Sequence, residues 1–144
     1  MTRSLHHAGI TTQDLSRLAR FYAHAFGAKI VREGGWDADS DGFNGAVGLR
    51  GQAAKIALLQ IGDAFIELFE FEKLSSGQAV STIHQLGLTH LGFVVDDAAA
   101  EYERLHALGV PFNTPPFTAP SGGMFAYGRD PDGNIIEIFQ PPKI

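Results

Sequence analysis

Along the first half of the chain, apolar positions alternate with small or polar ones, recur at helical spacing and then alternate again; the second half repeats the cycle. In the opening run Ala8, Ile10 and Thr12 fall on one side of an extended chain, with His7, Gly9 and Thr11 on the other. The run from Leu88 to Val95 likewise groups Leu91, Phe93 and Val95 opposite His90 and Gly92. Helical spacing follows, with Leu15, Leu18, Tyr22, Ala25 and Phe26 on one stripe, Asp14 as the N-cap and Gly27 at the left-handed stop. Asp97 opens the counterpart, whose stripe is Tyr102, Leu105 and Leu108 and whose stop is Gly109 before Val110 and Pro111. Antiparallel strands are predicted over residues 45–49, 54–60 and 64–71, then over 124–129 and 134–140. Asp130, Pro131, Asp132 and Gly133 spell a tight turn.

The recurrence extends to residue identity. Shifting the chain by 83 positions lays Leu5 on Leu88, His7 on His90, Gly9 on Gly92 and Asp14 on Asp97. Shifting it by 70 lays Phe65, Ile66, Glu67, Leu68 and Phe69 on Ile135, Ile136, Glu137, Ile138 and Phe139. Each half thus begins with a histidine strand and ends with a glutamate strand. The expected division is module one over about 1–72, a linker that is polar and then weakly helical over about 73–86, and module two over about 87–144. Neither half is long enough to be a comfortable domain alone, so the two are expected to form one domain around a shared core.

Composition narrows the chemistry. The chain of 144 residues carries a net charge of -5 and no basic run, which excludes the electrostatic footprint of a nucleic-acid binder. It contains no cysteine, so any metal must be held by nitrogen and oxygen. Residues 1–10 carry histidines where a secretory segment would need a continuous apolar stretch, and no apolar run approaches membrane-spanning length, so a cytoplasmic location with no membrane partner is expected.

Alternation puts Phe65, Glu67, Phe69 and Phe71 on the strand face away from the helix layer, and Ile135, Glu137 and Phe139 on the corresponding face of the second module. A carboxylate among such apolar neighbours needs a partner, a proton or a cation. If a pseudo-two-fold axis relates the modules, His7, Glu67, His90 and Glu137 surround one point. Two imidazoles and two carboxylates balance the charge of a divalent ion and suit Zn, Ni, Fe, Co or Mn better than Ca or Mg. His6, His24, His84 and His106 have no repeat counterpart and are assigned to the surface or to local hydrogen bonding.

Four motifs carry a resemblance to a known family. They are His7-Ala8-Gly9-Ile10 with Asp14-Leu15 and Phe21-Tyr22; Phe65-Ile66-Glu67-Leu68; Thr89-His90-Leu91-Gly92-Phe93 with Asp96-Asp97; and Arg129-Asp130-Pro131-Asp132-Gly133-Asn134-Ile135-Ile136-Glu137. The chain resembles, over nearly its whole length, the vicinal oxygen chelate superfamily of glyoxalases, bleomycin-resistance proteins and ring-cleaving dioxygenases. The resemblance implies an α+β fold of two tandem βαβββ modules, with curved sheets around a metal-binding cleft, and a homodimer as the assembly. It implies His7, Glu67, His90 and Glu137 as the ligand set of the lyase and isomerase branches. Position 71 is Phe where glyoxalase I has an asparagine that helps hold glutathione, so a glutathione substrate is not expected. Asn44 or its neighbours stand where methylmalonyl-CoA epimerase has a catalytic glutamate, which argues against two-base epimerisation of a CoA ester.

The function expected is that of a metal-dependent lyase or isomerase acting on a small oxygen-chelating carbonyl compound through a metal-stabilised enolate. Glu137 is the first choice as base and Glu67 the second. Phe65, Phe69, Phe71 and Phe139 would wall the substrate pocket, with Asn44, Gln60 and Tyr127 as polar contacts. Arg50 and Arg129 are the cations to test against a substrate carboxylate, and residues 114–123 form either a flap or a long connection. The competing readings are a non-catalytic drug-sequestering protein and an Fe(II) dioxygenase.

Overall fold

In the computed structural model, which describes residue 2 and residues 4–75 and 82–143, the chain forms two compact units, Met1–Ser76 and Gly77–Ile144. Their boundary falls inside the expected linker, of which residues 76–81 lie outside the described residues.

The first unit runs β1 (His7–Thr11), α1 (Leu15–Phe26), β2 (Lys29–Trp36), α2 (Asp41–Ala46), β3 (Ala54–Ile61) and β4 (Ala64–Phe71). Its sheet has the order β1-β4-β3-β2, with β1 parallel to β4 and the other neighbours antiparallel. The second unit runs β5 (His90–Val94), α3 (Ala98–Ala107), β6 (Phe117–Thr118), β7 (Met124–Arg129) and β8 (Ile135–Gln140), in the order β5-β8-β7-β6. Both follow βαβββ topology, with β5 parallel to β8 as β1 is to β4.

Helix α1 packs on β3 and β4 through Leu15, Leu18, Ala19, Tyr22 and Ala25, against the buried Ala57, Leu59, Ile66 and Leu68. Gly27 ends the helix in the left-handed region (φ 67°). Helix α3 packs on β8 and β7, and Ala98 and Leu105 are buried together with Ala126, Ile136 and Ile138. The helix N-termini are built alike. Asp14 Oδ1 accepts from Arg17 N at 2.9 Å and Asp97 Oδ1 from Ala100 N at 3.0 Å. A residue on the last strand accepts a further free N–H: Glu70 from Leu15 N at 2.8 Å, and Gln140 from Ala98 N at 2.9 Å.

Two expectations are corrected. Residues 45–49 form no strand. The chain is helical over Asp41–Ala46 and turns after it, while the missing strand of the module is β2. Asn44 explains the difference. It is 2% exposed, its amide nitrogen donates to the carbonyls of Ala38 and Ser40, and its oxygen accepts from Gln52 N, so its side chain folds the loop around itself. Leu108 is not on the buried stripe of the second helix. It is the C-cap and 58% exposed, and the turn at Gly109 (φ 86°) brings Val110 into the core instead. Within residues 114–123, Phe117–Thr118 pairs with Phe125 and Met124 as a short edge strand.

Candidate metal-binding half-sites

Register determines which side chains share a face. In the first sheet His7 lies beside Phe65 and Gly9 beside Glu67, while Leu58 stands opposite Glu67 and Arg32 opposite Leu58. His7, Phe65, Glu67, Phe69, Gln60 and Arg32 therefore occupy the face away from α1, as alternation requires. In the second sheet His90 lies beside Ile135, Gly92 beside Glu137, and Tyr127 opposite Glu137.

Each unit brings its histidine to its glutamate. His7 Nε2 is 3.3 Å from Glu67 Oε2, and His90 Nε2 is 3.2 Å from Glu137 Oε2. Both glutamates are largely covered, at 14% and 16% side-chain exposure, whereas the histidines stand more open at 41% and 29%. Charge-assisted N–H···O bonds close to about 2.7–2.9 Å. Two ligands each about 2.1 Å from one ion lie about 3.0 Å apart at a right angle and about 3.4 Å apart at the tetrahedral angle. The observed spacing falls within that second range, and the N,O donor chemistry suits a borderline divalent cation. Each unit supplies two donors. Among the described residues no cluster of three or more His, Asp or Glu side chains that could hold an ion is gathered.

The surroundings of the pairs differ. Arg32 Nη2 lies 3.5 Å from Glu67 Oε1. Glu137 instead receives a hydrogen bond from the Tyr127 hydroxyl, whose pKa is raised by burial first and then by the charge and hydrogen bond of Glu137. The Tyr127 ring also meets His90 edge to face at 5.3 Å. The far nitrogen of each histidine has a partner in the preceding residue: His6 Nδ1 is 2.8 Å from His7 Nδ1, and Thr89 Oγ1 is 2.8 Å from His90 Nδ1. His6 stacks on Phe65 at 4.7 Å with the rings 9° from parallel.

The remaining candidates divide by location. Phe69 and Phe71 stack at 5.7 Å, and Phe139 is paired in register with Phe125 on the glutamate face of the second sheet. Gln60 Nε2 donates to the Gly62 carbonyl at the end of its own strand. Asn44 is spent on its loop, Arg50 is exposed on the segment after α2, and Arg129 Nη1 donates to the Gly133 carbonyl. The Asp130 turn is as expected, with its carboxylate accepting from Asp132 N, Asn134 N and the Asn134 amide. Sequence reasoning missed Arg32, because β2 was not recognised, and the partners at residues 6 and 89, although the 83-residue shift that aligned the histidines aligns these two as well.

Comparisons with known proteins agree on the architecture. A glyoxalase family protein from Bacillus cereus superposes with a TM-score of 0.86 at 18% identity, covering 99% of this chain and 97% of that one. The trypanothione-dependent glyoxalase I of Leishmania major superposes with a TM-score of 0.68 at 24% identity, covering 96% of this chain and 87% of that one. In sequence, the uncharacterised protein YwbC of Bacillus subtilis (strain 168) is 27% identical over 141 residues, which are 97% of this chain and 99% of that protein. No helix among the described residues is long and apolar enough to cross a membrane. The match to the Glyoxalase/Bleomycin resistance protein/Dioxygenase superfamily extends over residues 4–138, and the chain belongs to that family.

Proposed function

We propose that this protein is a metal-dependent lyase or isomerase for a small carbonyl substrate that chelates through adjacent oxygens, with His7, Glu67, His90 and Glu137 as the ligands of one divalent ion. The observation that carries this reading is the twofold occurrence of a His Nε2–Glu Oε2 pair, at 3.3 and 3.2 Å, at repeat-related positions. A bound divalent ion would supply Lewis-acid stabilisation of the negative charge that develops on a substrate carbonyl oxygen.

The chain's own residues do the rest. Glu137 is the base that takes the proton from the carbon beside the carbonyl, because its carboxylate is covered yet faces an accessible imidazole. Tyr127 holds that carboxylate in place through its hydroxyl. Glu67, tied to Arg32, is the less available of the two carboxylates. Phe65, Phe69, Phe71 and Phe139 provide apolar surface that limits water around the reacting carbon.

The ligand set draws one pair from each module, and we propose a homodimer in which the pairs of two copies complete each other. Elemental analysis of protein purified without chelator, followed by turnover assays on small α-hydroxy and α-keto compounds with the metal found, tests the reading. Glu137→Gln with metal retained should lower turnover by about 10²–10⁴-fold. Mixing unfolded His7→Ala and His90→Ala chains and refolding them should restore metal binding if the pairs meet between chains, since half of the sites in each mixed dimer are then intact. Absence of bound metal, with tight capture of aromatic drugs by metal-stripped protein, would replace catalysis with sequestration.

A further inference from the structure

We propose that His6 and Thr89 are positioning residues, repeat-equivalent partners that hold the Nδ1 edges of His7 and His90 so that each Nε2 faces its glutamate. The inference rests on the ligand assignment above and adds to it a device that each module builds from a different side chain. Positions 6 and 89 are related by the same 83-residue shift that relates the two histidines. At both, the side chain reaches forward by one residue to the imidazole Nδ1, at 2.8 Å in each case. The ring edge opposite that contact is the one that lies 3.3 or 3.2 Å from a carboxylate oxygen.

The chemistry explains why an amphoteric group is needed there. A neutral imidazole carries its proton on one nitrogen and a lone pair on the other. When Nε2–H points at the glutamate, Nδ1 is a bare acceptor and its partner must donate. When Nε2 offers its lone pair to a cation, the proton sits on Nδ1 and the same partner must accept. The Thr89 hydroxyl meets both requirements by rotation about its C–O bond. His6 meets them by changing its own tautomer, which its exposure to solvent allows, while stacking on Phe65 at 4.7 Å keeps the ring in place. An alanine or a valine at either position leaves the imidazole free to turn.

Cobalt(II) affinity of the full chain, measured by competition with a chelator, gives the first readout. Thr89→Val and His6→Ala should each weaken binding by about 10- to 100-fold, the range typical of lost partners to metal-bound histidines. Thr89→Ser and His6→Thr, the latter transplanting the other module's solution, should stay within about threefold of the parent on the same reasoning. Parent-like affinity in Thr89→Val and His6→Ala, or failure of the hydroxyl variants to rescue, overturns the proposal. Long-range ¹H–¹⁵N spectra of the metal-free protein give a second readout that needs no ion. His90 should populate one tautomer in the parent and in Thr89→Ser, and a mixture in Thr89→Val. Identical mixtures in all three overturn the positioning role. Failure of the parent to bind cobalt, with the tautomer pattern as expected, would instead count against the ligand assignment alone.

Discussion

The two modules present the same imidazole–carboxylate pair on unlike supports. In the first, Glu67 is shared between His7 and the guanidinium of Arg32, which reaches it from β2, an eight-residue strand. In the second, the outer strand β6 has only two residues, and the partner of Glu137 is the hydroxyl of Tyr127 on the adjacent strand. A duplicated βαβββ unit can therefore keep its donor geometry to within 0.1 Å, as the 3.3 and 3.2 Å separations show, while changing the charge beside it. A cation thus stands next to one carboxylate and a neutral donor next to the other, and the proposed division between a holding ligand and a working base follows that difference in surroundings.

Replacing each glutamate in turn tests that division most directly. Glu67→Gln should act mainly on metal affinity, whereas Glu137→Gln should act on turnover at saturating metal, by the 10²–10⁴-fold typical of a lost general base. Equal losses of turnover in the two variants, measured with metal content matched, would make the modules functionally symmetric. The charge difference gives the next largest effect. A guanidinium beside Glu67 repels an incoming divalent cation, and Arg32 is well exposed, so the repulsion is screened. Arg32→Gln should tighten metal binding about three- to tenfold on that account. Weaker binding in this variant would mean that Arg32 orients Glu67 more than it competes for it.

A smaller effect separates the helix caps. Asp14→Ala and Asp97→Ala each remove one side-chain acceptor from a helix N-terminus and should cost about 1 kcal/mol of stability in urea titrations. Helix α1 buries a five-residue stripe and α3 only Ala98 and Leu105, so local fraying after the Asp97 substitution should be the greater of the two, read as loss of amide protection near Ala100.

What was legible in the sequence follows from the same contrast. The repeat, both N-caps, the Asp130 turn and the two glutamate strands with the face their carboxylates share were readable because each rests on local chemistry or strict alternation. Strand β2 was not. Seven of its eight residues are exposed, its register shifts between Ile30 and Arg32, and it contains Gly34 and Gly35, so it carries no alternating apolar signal. At Gly35 a Cβ would collide with the Ala54 carbonyl oxygen, so the glycine marks close approach of backbones rather than a turn. The apparent strand at 45–49 was a periodicity produced by a loop that Asn44 organises through three hydrogen bonds, a tertiary arrangement that no window of sequence displays. The histidine–glutamate contact within each module was not legible, since alternation gives only the shared face and the contact depends on the parallel pairing of the first and last strands. Arg32 was hidden along with its strand.

The finest distinction between the modules lies at positions 70 and 140, where one helix N-terminus is held by a carboxylate and the other by an amide. The Leu15 N–H hydrogen bond, followed by the hydrogen bond and charge of Lys55 at 2.9 Å, holds the Glu70 carboxyl below its ordinary value of 4.5. A group whose folded pKa is depressed contributes stability that is complete above the unfolded value and is lost as pH falls through the folded one. The first module should therefore lose this contribution as pH drops below about 4.5. Glu70→Gln keeps an acceptor for Leu15 N, as Gln140 does for Ala98 N, but no longer titrates. Its stability relative to the parent should rise as pH falls from 6 to 3, as followed by urea unfolding, and Lys55→Met should remove part of the same pH dependence. An unchanged difference between parent and Glu70→Gln across that range would mean that the carboxylate and the amide hold the helix equally, and that the two modules differ in charge only beside the ligand pairs.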